Sequence, residues 1–366
     1  MTDLLSPISF TRGPAWKNRF MLAPLTNCQS HPDGRLSDEE FHWLTYRAKG
    51  GFGLVMTCAA HVQRTGQGFP GQLGVWSDDH IPGLTRLAAE IKAHGSVSSV
   101  QLHHAGIRSP AALIGEAPVG PSADAETGAR ALSLAEVEQL TQDFVAAAVR
   151  AEKAGFDGVE IHGAHGYILC AFQSPETNRR EDRYGGSPEN RARIVFDIIK
   201  GIRARCRPDF QLGLRLSPER FGLVFPEQLA LAGQMLASGD LDYLDMSLWD
   251  CFKPPVDEAY NTRPLIDWFA ELPRGETRLG AAGKLSRPDD ARRLIEHGAD
   301  FVILGRAAIL QHDFPQRYAA DPNFEPVHIP VTRAYLASER LSPNFITYMN
   351  QWKGFVAEEE TAEAAA

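Results

Sequence analysis

Cysteine is scarce in this chain of 366 residues: Cys28, Cys58, Cys170, Cys206 and Cys251 make five, odd in number and widely spaced. No CxxC pair occurs, which removes a zinc ribbon and an iron–sulfur cluster from consideration. Basic charge is also short, 37 Lys and Arg against 46 Asp and Glu for a net −9. The basic stripe that a nucleic acid or an anionic membrane would need is therefore missing. No uninterrupted apolar run approaches the roughly 18 residues that span a bilayer. The opening MTDLLSPISF has no basic stretch followed by an apolar one, so it reads as no secretory signal. Free thiols without such a signal predict a cytoplasmic location. A dinucleotide-binding GxGxxG after a first strand is absent too, which disfavours a doubly wound sheet. Gly50-Gly51-Phe52-Gly53 enters a strand instead of leaving one and reads as a helix-to-strand turn.

What is present is a globular composition, 43% apolar and 9% aromatic, with ample material for a core. Short apolar runs alternate with longer amphipathic ones. Strands are expected at Phe20–Leu22, Gly53–Thr57, Val97–Leu102, Gly158–His162, Gln211–Leu216, Tyr243–Ser247, Arg278–Ala282 and Phe301–Leu304, each brief and nearly all apolar, as buried parallel strands are. Helices are expected at Leu134–Ala154, Asn190–Arg205, Pro226–Ala237 and Asp289–His297. The first is opened by a Ser133/Glu136 capping box and closed by Gly155, and the last has Ser286 three residues ahead and Gly298 behind. Eight such alternations predict an α/β fold, a single (β/α)8 barrel. Gly13-Pro14 within residues 8–20 predicts a small hairpin plugging the barrel's bottom. Residues 103–132, rich in Ala, Gly and Pro, read as an excursion over the top. The barrel is assigned to residues 1–340, and residues 341–366 to a C-terminal extension whose acidic, Ala-rich end frays.

Barrel enzymes carry their chemistry at the C-terminal ends of the strands. Here those ends read Ala23-Pro24-Leu25-Thr26, Thr57-Cys58, Gln101-Leu102-His103-His104, His162-Gly163-Ala164-His165-Gly166-Tyr167, Arg215, Ser247 with Trp249, Ala282-Gly283-Lys284 and Gly305-Arg306. Polar and titratable groups thus gather where strands stop. Gly283 and Gly305 would let backbone N–H groups approach an anion while Arg306 adds a charged fork, a phosphate cradle in the two loops where barrels often hold one. Taken singly, those glycines could equally just turn the chain. His162, His165 and Tyr167 offer two imidazole donors for an oxygen on which negative charge develops, and a phenol that can give a proton. A single loop histidine is more often a satisfied structural group. No metal is implied, because neither histidine has a carboxylate or third ligand at a suitable spacing.

APLT at 23–26, QL at 101–102, EIHGAHGY at 160–167, SPETNRREDRYGGSPENRARI at 174–194 and ILGR at 303–306 together resemble the old yellow enzyme family, in order and spacing, over about residues 6–320. The resemblance implies an FMN-dependent, NAD(P)H-driven ene-reductase on a (β/α)8 barrel. It implies that Ala23, Pro24, Leu25 and Thr26 line a non-covalently bound flavin, with Cys58 and Gln101 at its pyrimidine edge and Arg215 near N1 and O2. Gly283, Lys284, Gly305 and Arg306 would hold the phosphate. His162 and His165 would take a substrate carbonyl or nitro oxygen, Tyr167 would protonate the α-carbon, and His103 and Trp249 would line the pocket. NADPH or NADH would use the same flavin face as the alkene, without a domain of its own. The resemblance is nearest to the bacterial, thermophile-type subgroup.

The chain departs from that pattern at several points. His103 stands where many relatives carry Trp or Ala, Cys28 where one subgroup has a substrate-contacting Tyr, and Thr26 belongs to the classical subgroup. Phe252, Tyr348 and Trp352 are further candidate pocket aromatics. An oxidative demethylase of N-methylated amines is the alternative activity. A non-redox phosphosugar barrel is the remote one, with Lys284 its lone candidate lysine. No nucleic-acid or membrane partner is expected, and a homo-oligomer stays open.

Overall fold

The structure, a computed structural model, describes residues 3–358. In chain order its strands are β1 (Phe20–Leu22), β2 (Leu54–His61), β3 (Val97–His103), β4 (Val119–Gly120), β5 (Arg130–Ala131), β6 (Gly158–Gly163), β7 (Gln211–Leu216), β8 (Tyr243–Ser247), β9 (Arg278–Ala282) and β10 (Phe301–Leu304). Among the described residues β4 and β5 pair only with each other, and the other eight strands close into one barrel in the order β1-β10-β9-β8-β7-β6-β3-β2. Every neighbouring pair in the barrel is parallel. The barrel read from the alternating pattern is therefore the fold, and five of its strands have the residue bounds expected. Among the described residues no helix is long and apolar enough to cross a membrane.

Two local expectations need correction, and a third lies beyond the described residues. β2 runs on to His61 instead of ending at Thr57-Cys58, because one extra residue is accommodated between Met56 and Ala59 opposite β3. At this bulge the Thr57 hydroxyl accepts from the Gln101 N–H at 3.2 Å, replacing a ladder bond. The helix expected to begin from Ser286 spans Pro288–Glu296, and its cap works in reverse. The Asp290 carboxylate accepts from the backbone N–H groups of Ser286 and Arg287, both at 2.9 Å. The fraying expected at the C-terminal end falls on residues 359–366, outside those described.

Helix Leu134–Lys153 shows how the outer layer forms. The Ser133 hydroxyl and the Glu136 carboxylate satisfy each other's backbone N–H groups, and Val137, Leu140, Phe144, Val145, Ala148 and Ala151 make one buried stripe against the barrel. Inside the barrel lies a second core of Met21, Leu54, Met56, Val97, Tyr243, Phe301 and Ile303, joined by Ile8 and Trp16. Space for its large rings comes from glycines on adjacent strands. A Cβ on Gly213 would sit 2.1 Å from the Tyr243 ring, and one on Gly280 would sit 2.1 Å from Phe301.

The bottom of the barrel is closed by the N-terminal hairpin. Ile8 and Trp16 bridge antiparallel. The Trp16 ring lies 5.5 Å from Tyr243 and 4.9 Å from Phe301, edge-on to both, and its indole N–H donates to Gln211 Oε1 at 3.1 Å. The Gln211 amide in turn donates to the carbonyls of Arg12 and Pro14, so the first residue of β7 holds the turn that contains Gly13. Trp16→Ala should cost about 3–5 kcal/mol by emptying this layer. Chemical denaturation is the check, and a loss under ~1 kcal/mol would mean the plug is dispensable.

Candidate functional site

The Arg-rich stretch 174–194 offers no reacting group, and the structure shows its work. The Asn178 amide donates to the carbonyls of Phe172 and Tyr184, and the Arg191 Nε donates to the Gln173 carbonyl at 3.0 Å. Arg179 and Arg180 donate to the carbonyls of Ala123 and Pro121, which ties the excursion after β3 to the loop after β6. From that excursion Arg108 reaches the rim: it donates to the His165 carbonyl at 2.6 Å, and its guanidinium lies 4.8 Å over the Tyr167 ring. Tyr167 is thereby held between a cation and two imidazoles, with its ring 4.4 Å from His103 and 5.1 Å from His162.

Strand register brings the polar groups level. Gln101 is paired with Glu160, His162 with Arg215, and Arg215 with Asp245. The Gln101 amide donates to Glu160 at 2.8 Å, leaving Gln101 Oε1 buried without a donor. The Arg215 Nε lies 3.0 Å from Asp245, close enough for an ion pair but not aligned as a hydrogen bond, so both Asp245 oxygens remain without a donor. Two carboxyls thus face one guanidinium. Burial, then the charge of Asp245, raises the Glu160 pKa, and burial raises that of Asp245 against the pull of Arg215.

The histidines form a line. His103 Nδ1 is 3.0 Å from His162 Nδ1, His162 Nε2 is 2.9 Å from His165 Nδ1, and His165 Nε2 is 2.7 Å from the Ser247 hydroxyl. The Arg215 guanidinium donates to Ser247 from 3.4 Å. Burial, reinforced by the neighbouring rings and by Arg215 and Arg108, holds all three imidazoles well below the ordinary histidine range, hence neutral. His165 sits at φ 65°, a left-handed conformation held by the Ser217 hydroxyl, which accepts from its N–H at 3.1 Å.

The other expected residues are distributed around this line. Ala23 is buried at the end of β1, and with Leu25 it faces Gly305, where a Cβ would find nothing nearer than 3.6 Å. Gly283 is closely packed instead, since a Cβ there would lie 2.9 Å from the Asp250 nitrogen. Lys284 pairs with Asp250 at 3.0 Å. The Cys58 thiol lies against the buried Glu40 carboxylate on helix Asp38–Lys49, behind the sheet. Trp249 is 45% exposed, with Arg220 stacked 4.4 Å over its ring. Phe252 packs under Arg293 and beside His297. Tyr348, from helix Pro343–Met349, bonds the Thr26 side chain. That helix is seated by Ser342 donating to Gln29 at 2.9 Å and by Phe345 against Trp43. Sequence reading gives Ser247 as a strand-end residue without a role and leaves Glu160 and Asp245 out of the site. A polar residue every second position near the end of an apolar strand was the available signal.

Five buried histidines predict a pH response. His61 is lowered to about 4 and His104 to about 3 by burial, alongside His103, His162 and His165. The unfolded chain takes up protons below about pH 6.5 while the folded chain does not, so their stability is complete above that value and drains as pH falls toward the folded values. Each histidine removes up to about 1.4 kcal/mol per pH unit, and Tm should fall from about pH 6.5 downward. Glu160 has the opposite sign: its raised pKa gives stability that is lost as pH rises from about 4.3 through the folded value. Calorimetry should show Glu160→Gln losing less stability than the parent as pH rises from about 4.3 to about 8, and parallel curves would mean that Glu160 is ionised in the folded protein.

The family model described as the NADH:flavin oxidoreductase / NADH oxidase family matches residues 3–324. The chain is 39% identical over 318 residues to the probable NADH-dependent flavin oxidoreductase YqiG of Bacillus subtilis (strain 168), covering 84% of this chain and 85% of that one. It is 35% identical to an NADPH dehydrogenase of Listeria innocua, over 86% of this chain and 93% of the relative. Among solved structures, the old yellow enzyme homologue from Zymomonas mobilis superposes with a TM-score of 0.79 at 28% identity, over 94% of this chain and 99% of that one. With its closed parallel barrel and its polar rim, the chain belongs to the NADH:flavin oxidoreductase / NADH oxidase family as an FMN-dependent NAD(P)H oxidoreductase of old yellow enzyme type.

Proposed function

We propose that the protein reduces activated C=C bonds, such as those of enones, maleimides and nitroalkenes, with NAD(P)H as the electron source. The observation that carries this reading is the neutral His162–His165 pair, 2.9 Å apart, with His162 buried, His165 partly exposed at the rim and the Tyr167 ring beside them. Two neutral imidazoles converging on one point suit an oxygen that gains negative charge as hydride arrives at the β-carbon, three bonds away.

The rim also fits FMN. Gln101 Oε1 is a buried acceptor without a donor, which a flavin N–H would supply. Gly305 leaves room for a Cβ in ordinary contact with Leu25 and Ala23, and the Arg306 side chain is exposed with no ion pair or hydrogen bond among the described residues. In this reading Ala23, Pro24, Leu25 and Thr26 hold one side of the ring and Gln101 its pyrimidine edge. Cys58, whose thiol faces Glu40, contributes its backbone. Gly283, Lys284, Gly305 and Arg306 surround the phosphate. When bound, FMN carries electrons from NAD(P)H to the alkene as hydride.

With FMN bound, Arg215, held by its ion pair with Asp245, would supply a fixed positive charge to the anionic reduced ring. His162 and His165 bind and polarise the substrate oxygen. Tyr167, with Arg108 over its ring, gives the proton to the α-carbon. Its phenolate would then be stabilised by that guanidinium.

An anaerobic spectrum of the purified protein tests the reading: a flavin band that bleaches with NADPH and recovers with 2-cyclohexenone is expected. Formaldehyde release from an N-methyl amine without alkene turnover would replace it with a demethylase. His162→Ala with His165→Ala should keep the flavin band and lower alkene turnover by roughly 10²–10³ or more. Unchanged turnover would remove the pair from the mechanism. Tyr167→Phe should lose less, because water can supply the proton.

A further inference from the structure

A neutral imidazole has one N–H and one bare nitrogen. If His162 and His165 are both to donate to one oxygen, each must carry its proton on the nitrogen that faces the other, Nε2 of His162 and Nδ1 of His165. The remaining nitrogens, Nδ1 of His162 and Nε2 of His165, must then be acceptors. The structure gives each a partner: His103 Nδ1 stands 3.0 Å from His162 Nδ1, and the Ser247 hydroxyl stands 2.7 Å from His165 Nε2.

We infer that His103 and Ser247 are positioning residues that set the tautomers of His162 and His165, so that both present N–H to a single substrate oxygen. The inference rests on the ene-reductase reading above and adds two residues to it. His103 is 1% exposed, and among the described residues its Nε2 has no partner, so the Nδ1 contact with His162 is its side chain's one hydrogen bond there. Ser247 is also buried, and Arg215 donates to its oxygen from 3.4 Å, which leaves the serine proton free to point toward His165. Both flanking groups are thus arranged to act as donors to the pair.

Without a ligand, the 2.9 Å contact between His162 and His165 needs one donor and one acceptor. Two arrangements satisfy the line. In one, the protons run from Ser247 through His165 and His162 to His103. In the other they run from His103 toward Ser247. An oxygen that displaces the direct His162–His165 contact and parts the two rings makes both facing nitrogens donors, so one half of the line must reverse. Starting from the first arrangement, the His162 proton moves from Nδ1 to Nε2 and that of His103 from Nε2 to Nδ1. Starting from the second, the His165 proton moves from Nε2 to Nδ1 and the Ser247 hydroxyl rotates to face it. No net proton is gained or lost, and no imidazolium forms. The pair therefore selects a group that only accepts, such as a carbonyl, nitro or phenolate oxygen.

The test uses the flavin-loaded enzyme with 4-hydroxybenzaldehyde as the probe, read by the flavin absorbance. His103→Leu removes the donor to His162 and should weaken the probe 10-fold or more. His103→Asn puts an amide N–H near the place of Nδ1 and should restore affinity to within about threefold of the parent. Ser247→Ala and Ser247→Thr should behave as the corresponding pair. In parallel, ¹⁵N spectra of the histidine-labelled parent with the probe bound should show His162 protonated at Nε2 and His165 at Nδ1, both neutral. Parent-like binding by both His103→Leu and Ser247→Ala would overturn the inference, as would a bound state with His162 protonated at Nδ1 or either ring as imidazolium. If His103→Leu does not fold, the ¹⁵N spectra of the parent decide. His162→Ala with His165→Ala separates the two levels: parent-like probe binding in that variant sinks the ene-reductase site itself. Weak binding there with parent-like His103→Leu and Ser247→Ala sinks only the tautomer setting.

Discussion

The parallel register of adjacent barrel strands is the constraint on which the site depends. β6, β7 and β8 run side by side without a shift, so His162, Arg215 and Asp245 arrive at one height. β3 joins β6 in the same way, which sets Gln101 against Glu160. A slip of one residue would turn each of these side chains to the opposite face of the sheet, into the apolar layer under the helices. The hairpin plug and the glycine-accommodated rings of Tyr243 and Phe301 fill the lower barrel, and polar groups are left to the upper rim.

At that rim the chain buries more ionisable groups than a structural core would. Glu160 and Asp245 share one guanidinium, and three imidazoles are stripped of water. Burying such groups is unfavourable unless each is neutral or paired. The structure meets this by keeping the histidines uncharged, linking them nitrogen to nitrogen, and concentrating positive charge on Arg215 and Arg108. Such crowding of perturbed groups in one place is a mark of function. Neutral donors beside a fixed cation stabilise developing negative charge without having to give up a proton.

Much of the fold was legible because it rests on local signals. Apolar runs bounded by turn residues marked the strands, and the Ser133/Glu136 box marked a helix start that the structure reproduces. The errors were local as well. The end of β2 lies beyond its expected limit because a bulge leaves no compositional trace, and Ser286 has the look of a cap while the capping group is the Asp290 carboxylate. Within the site, the loop histidines, Tyr167 and Arg215 stood out by residue type. Ser247 and Asp245 did not, since a serine and an aspartate at a strand end are common and gain meaning only from neighbours. Cys58 could be placed along the chain, yet the direction of its thiol, toward Glu40, depends on a helix packed behind the sheet.

The sequence by itself determined the barrel, the family and which strand ends carry polar chemistry, because periodicity, capping and motif order are written along the chain. The tertiary structure decided which nitrogen meets which. His103 and His162 are 59 residues apart, and His165 and Ser247 are 82 apart. Their contacts follow from strand register and ring rotation, neither of which any local pattern encodes. It likewise decided that Tyr348, from the C-terminal helix, reaches Thr26 at the other end of the chain. Chain closure brings those ends together, and only the packed structure fixes the distances on which proton placement depends.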